Sequence, residues 1–236
     1  MRRFRLPRSL LWGKRLLAAL LLLLLLWQGW YLGWVLVWKF VNPNMTRFME
    51  IRLEELQAKK PRAELRHQWQ PYDAISPQLK RAVIAAEDDK FVDHEGFDWE
   101  GMQKALEKNQ KKGKVVAGGS TISQQLAKNL FLSPAKTPWR KAQEALITLM
   151  LEALWDKQRI LEVYLNVVEW GEGVFGAEAA ARRYYGLSAA RLSPEQAARL
   201  AVMLPAPRRY EKNPYSEFMN AHTQIILGRM QYSELP

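Results

Sequence analysis

Hydrophobic and polar positions follow three different patterns along the chain. Residues 16–38, L-L-A-A-L-L-L-L-L-L-L-W-Q-G-W-Y-L-G-W-V-L-V-W, contain no charge. As a helix this run is about 34 Å long, enough to cross a hydrocarbon core of about 30 Å. Arg2, Arg3, Arg5, Arg8, Lys14 and Arg15 precede it, and Trp27, Trp30, Tyr31, Trp34 and Trp38 crowd its second half as an aromatic belt would. The leucine run alone resembles the apolar part of a signal peptide. No small-x-small cleavage site follows, however, so the expectation is an uncleaved anchor with residues 1–15 cytoplasmic and the rest across the membrane.

Residues 39–70 read as a connector. Phe48, Ile51, Leu53 and Leu56 recur at partly helical spacing, and Pro61 ends the segment. From Pro71 onward the apolar spacing is mostly helical, with little alternation of period two. Ser76-Pro77, Thr121, Thr137-Pro138, Asp156 and Ser193-Pro194-Glu195-Gln196 are each placed to cap a helix start. Ile160, Leu161, Tyr164, Leu165 and Val168 share one face of such a helix. W-G-E-G-V-F-G, 170–176, reads as a glycine-punctuated loop that admits substrate, and 98–118, with its five lysines and its glycines, as a mobile segment. Those lysines suit anionic lipid headgroups or an ordinary solvated loop. The predicted fold class is mainly α, in a domain spanning 71–236.

Composition changes this picture in two places. A net charge of +11 points to nucleic acid, an anionic membrane surface or a phosphate-bearing substrate, and a domain carried across a membrane makes nucleic acid a poor partner. The absence of cysteine excludes disulfides, thiol nucleophiles and thiolate metal sites. Against the basic background, I-A-A-E-D-D-K-F-V-D-H-E-G, 84–96, gathers five carboxylates around His94. Like charges this close repel, which poises a carboxylate for proton transfer; a solvated helix end is the plainer alternative.

Four blocks carry further information: E-D-D-K-F-V-D-H-E-G (87–96), G-G-S-T-I-S-Q-Q-L-A-K-N (118–129), R-K-A-Q-E-A-L-I-T-L-M-L-E (140–152) and K-Q-R-I-L-E-V-Y-L-N (157–166). In order and spacing they resemble the motifs of glycosyltransferase family 51, the peptidoglycan glycosyltransferase module of class A penicillin-binding proteins. The likeness spans roughly 75–210, and a single span without a second enzymatic domain is similar to the monofunctional branch of that family. S-P-A-K at 133–136 reads S-x-x-K, but no K-T-G follows, so a transpeptidase site is not expected.

The resemblance implies a lysozyme-like helical domain with a membrane-associated lobe, in the bacterial inner membrane with the catalytic domain periplasmic. It implies polymerisation of lipid II into β-1,4-linked glycan strands with release of undecaprenyl diphosphate. Glu87 matches the general base and Glu144 the second catalytic glutamate. Lys128, Arg140 and Lys141 match basic positions suited to the departing diphosphate. Ser120, Thr121, Gln124 and Gln125 would bond to sugar or phosphate, while Asp88, Phe91 and His94 would shape the pocket around Glu87. No cofactor is required, although Glu144 leaves room for a divalent ion, magnesium or manganese. Lipid II, the growing strand and the bilayer are the expected partners, with other cell-wall synthesis or division proteins as candidates. Without the motifs, Arg140 and Glu144 are simply an i,i+4 pair worth a few tenths of a kcal/mol, and Thr121 is an N-cap. The rival functions are a lytic enzyme of the same general fold, using one acidic glutamate, and a single-span scaffold.

Overall fold

The computed structural model describes residues 8–114 and 118–236, with side chains from residue 12 onward. Arg2, Arg3 and Arg5 of the basic flank, and residues 115–117 of the lysine-rich segment, lie outside the described residues. The chain forms two compact units, Met1–Val41 and Asn42–Pro236. The described part of the first holds one helix, α1 (Arg8–Phe40), of which Trp12–Phe40 is long and apolar enough to cross a membrane.

The second unit is predominantly helical. Its helices are α2 (Arg47–Gln57), α3 (Pro77–Glu87), α4 (Trp99–Lys112), α5 (Ile122–Phe131), α6 (Pro138–Leu154), α7 (Lys157–Val167), α8 (Ala177–Tyr185), α9 (Pro194–Met203), α10 (Pro207–Tyr210) and α11 (Glu217–Arg229). The expected caps are in place. Ser76, Thr121, Thr137, Asp156 and Ser193 each accept a first-turn amide, and Thr121 and Ser193 complete capping boxes with Gln124 and Gln196. α5 packs against α2, α6 and α7, whereas α3 packs against α9 and α11. Ile122, Leu126, Leu130, Ile147, Ile160, Leu161 and Tyr164 are fully buried in this core, so the apolar face read in α7 is an interior one.

Two segments differ from their sequence reading. Residues 99–112 form a helix rather than a loop: the Asp98 carboxylate accepts the Gly101 amide at 2.9 Å, and Gly113 closes the helix in the left-handed region. Residues 169–175 form a buried hairpin, β2 (Glu169–Gly171) and β3 (Val174–Phe175), and β3 also pairs in parallel with β1 (Arg66–His67). That corrects the substrate-admitting loop: Trp170, Val174 and Phe175 point into the core. Strands of two or three residues show no alternation long enough to read.

The connector is built into this unit. Arg52 on α2 forms ion pairs with Glu55 at 2.8 Å and Glu169 at 3.2 Å, and Arg208 with the same Glu169 at 2.6 Å and Glu55 at 3.0 Å. This closed ring of four charges ties α2 to β2 and α10, which helps a buried carboxylate stay paired.

Candidate active site

A cavity of about 270 Å³ opens where the end of α3, the start of α4, the end of α11 and the segment 118–121 meet. Glu87, Asp89, Met102, Ser120 and Arg229 are among its lining residues. Gly119 makes the close approach possible, since a Cβ there would lie 3.1 Å from Met102 Cα.

Glu87 is the last residue of α3. Its Oε2 accepts a hydrogen bond from Gln125 Nε2 at 2.6 Å, and the Gln125 carbonyl oxygen accepts from the Tyr164 hydroxyl at 3.0 Å. Tyr164 thereby fixes the amide with its NH2 toward Glu87. The residue as a whole is part-exposed, yet Oε1 is shielded from solvent and has no hydrogen-bond partner among the described residues. Burial pushes the Glu87 carboxyl above its ordinary value; the Gln125 bond and the Lys128 charge oppose this, and Asp88 adds slightly to it.

The acidic cluster therefore works differently from its sequence reading. Desolvation, rather than crowding of like charges, is the main cause of the shift at Glu87. Asp88 is turned away: one oxygen meets His94 Nε2 at 2.9 Å and the other accepts the Ile122 amide at the start of α5. Because His94 Nδ1 accepts from the Gly96 amide at 3.1 Å, Nε2 carries the proton given to Asp88. Asp89 pairs with Arg229 at 3.0 Å, while Asp93 and Glu95 are exposed. Phe91 is fully buried beneath the Lys157 ammonium, 4.7 Å from its ring centroid. Asp88, Phe91 and His94 thus form framework under Glu87.

Gly96 locks that framework to α6. Its φ is +88°, and a Cβ added there would meet Thr148 Cγ2 at 2.8 Å and Glu152 Cγ at 3.0 Å. Its carbonyl accepts from Thr121 Oγ1 at 2.7 Å, and Lys157 bridges the His94 carbonyl and Glu152 at 2.5 and 2.8 Å. Thr121 and Gln124 are buried and engaged in these contacts and in the capping box, and Thr121 also borders the cavity. Glu162 pairs with Arg159 at 3.1 Å, a scaffold role like that of Glu152.

The cations gather on the neighbouring side. Glu144 is 2% exposed and its two oxygens bond Arg140 and Lys141. Lys141 also donates to Ser120 Oγ at 3.0 Å, which joins this group to the cavity wall. Lys128, one turn beyond Gln125 on α5, lies within electrostatic reach of Glu144, Arg140 and Lys141 on one side and Glu87 on the other. Burial pulls its ammonium below the usual lysine range, and Glu144 and Glu87 counter that pull. Glu144, Lys128, Arg140 and Lys141 all stand outside the cavity lining and reach it through Ser120.

A divalent ion is poorly served by this donor set. Glu144 already carries two cations, and Lys128 adds a third positive group nearby. Among the described residues no group of three His, Asp or Glu side chains has metal-binding geometry.

Tyr164 and Arg229 are the site residues that motif reading left without a role. Tyr164 is a position of the fourth block and part of an apolar helical face, but neither pattern gave it a role. Arg229 lies 140 residues from its partner Asp89, beyond any local pattern.

Residues 54–231 match the family model for transglycosylase. The chain is 66% identical to a biosynthetic peptidoglycan transglycosylase of Dechloromonas aromatica over 225 residues, 95% of this chain and 97% of the relative. It is 66% identical to a protein of the same name from Aromatoleum aromaticum, covering 94% and 96%, and 60% identical to one from Chromobacterium violaceum, covering 94% and 97%.

Proposed function

Since the chain belongs to the transglycosylase family, and is on that ground a lysozyme-like peptidoglycan glycosyltransferase, we propose that it polymerises lipid II with Glu87 as general base. The 4-hydroxyl of the acceptor GlcNAc gives its proton to Glu87 while its oxygen attacks the anomeric carbon of the donor MurNAc. The bond from that carbon to the diphosphate breaks, undecaprenyl diphosphate departs, and attack opposite an α-linked leaving group yields the β-1,4 linkage. A base held above its ordinary pKa accepts a proton more readily, provided it is ionised at the working pH. Lys128, Arg140 and Lys141 neutralise the charge developing on the diphosphate. Glu144 acts through Arg140 and Lys141 by holding both in place, and no step runs through a metal ion. Of the second block, Ser120 and Thr121 border the cavity and Gln125 bonds its base.

One observation carries this reading: a desolvated carboxylate with a free oxygen faces a cation cluster across one helix, α5. The raised Glu87 also suits the acid of a lytic hydrolase, but cutting a neutral glycan gives three clustered cations nothing to neutralise. Anchored by α1, with its basic flank cytoplasmic, the domain would face the periplasm from the inner membrane. The lobe carrying α4 and α6 is suited to the bilayer surface, with Trp99 70% and Trp139 64% exposed and Leu106, Leu146 and Leu149 also in the open. Purified full-length protein given labelled lipid II should produce long glycan chains. Breakdown of preformed glycan without polymer formation would overturn the assignment.

A further inference from the structure

Lys128 differs from its two cationic neighbours in what holds it. Arg140 and Lys141 are tied to Glu144, whereas the Lys128 ammonium has neither a hydrogen bond nor an ion pair among the described residues. Its Nζ lies instead 5.8 Å from the ring centroid of Phe48. Phe48 belongs to the first turn of α2, ahead of the stretch matched by the family, and is 8% exposed. The same ring carries the Arg52 guanidinium, 4.7 Å from its centroid, and Arg52 is fixed in turn by Glu55 and Glu169.

We propose that Phe48 is a positioning residue for Lys128, its ring holding the ammonium charged and free of a carboxylate partner until an anionic diphosphate arrives. An aromatic ring attracts a cation through its quadrupole. Unlike a carboxylate, it does not cancel the charge the substrate must meet. The ionisable groups around Lys128 are Glu144, Arg140 and Lys141 on α6 and Glu87 on α3, with Arg52 of α2 beyond the ring. On α7, Tyr164 faces Glu87 and keeps its proton. In this buried setting the ring is a contact that favours the charged form, and α2 is the element that supplies it.

The inference rests on the assignment of Lys128 to the leaving diphosphate, and the test separates the two. Full-length Phe48→Leu and Phe48→Trp proteins in detergent are labelled with an acetylating reagent across pH, and modification of Lys128 is read by mass spectrometry with exposed Lys104 as internal reference. Leucine keeps the apolar bulk and removes the quadrupole. The Lys128 labelling midpoint should fall by about 0.5–1 pH unit in Phe48→Leu, and polymerisation of lipid II should lose its alkaline range in parallel. Phe48→Trp should restore both. An unchanged midpoint in Phe48→Leu overturns the proposal, whether or not activity falls, because a packing defect lowers activity without moving the midpoint. If Lys128→Met polymerises lipid II at the wild-type rate, the diphosphate assignment fails, while a midpoint shift in Phe48→Leu still establishes the contact.

Discussion

The amide of Gln125 donates to Glu87 across 2.6 Å and is the hydrogen bond that stabilises the ionised base. Gln125→Met keeps the side-chain length and removes the donor, so the Glu87 carboxyl should rise further. The acid limb of kcat/KM for glycan polymerisation should move to higher pH, with activity recovered on the alkaline side. A uniform loss at all pH values would show that Gln125 does not act through Glu87.

Glu87→Gln should abolish polymerisation and make the protein more stable at neutral pH. A folded-state pKa above the unfolded value means that the folded protein binds more protons between the two, so stability falls as pH rises through that window. Removing the charge should return about 0.5–2 kcal/mol at pH 7, the usual scale for relieving a functional compromise. The gain should vanish below pH 4.5, where both states are protonated. Thermal unfolding of the two full-length proteins across pH measures it.

Glu144→Gln leaves Arg140 and Lys141 without their shared counter-charge. Because Glu144 is buried while Lys141 is 41% exposed, the stability loss should be about 3 kcal/mol, at the low end for a broken buried pair. Loosening the cations should also lower kcat by about 10²-fold. Denaturant unfolding and steady-state kinetics on lipid II check the two parts separately.

Gly96→Ala meets both a left-handed backbone and side chains of α6 at 2.8 and 3.0 Å. The backbone strain alone costs about 1–3 kcal/mol, and displacement of Glu152 adds to it. Chemical denaturation should show this loss, and Glu87 activity should fall with it because the His94 loop carries Asp88.

Features encoded by neighbouring residues were legible in the sequence. The apolar run of α1 and the caps at Thr121, Thr137, Asp156 and Ser193 each rest on contacts within one helical turn. The motif blocks named Glu87, Lys128, Arg140 and Lys141, which the fold links through Lys128, though they did not show that Thr121 and Gln124 are tied up in a capping box. α4 was obscured because Gly101 and Gly113 read as breaks. In the fold, one glycine lies over the capping carboxylate of Asp98 and the other closes the helix. The hairpin at 169–175 is too short for a period, and the Tyr164–Gln125 and Arg229–Asp89 contacts join distant segments.

The charge ring of Arg52, Glu55, Glu169 and Arg208 sets where a soluble fragment can begin. Residues 46–57 look like a dispensable tether, and a fragment starting at the first family-matched residue would discard most of them. Such a fragment would leave Glu169 short of one guanidinium and uncover the side of α5 that bears Lys128. A version that starts at Asn42 sheds the anchor and retains both contacts.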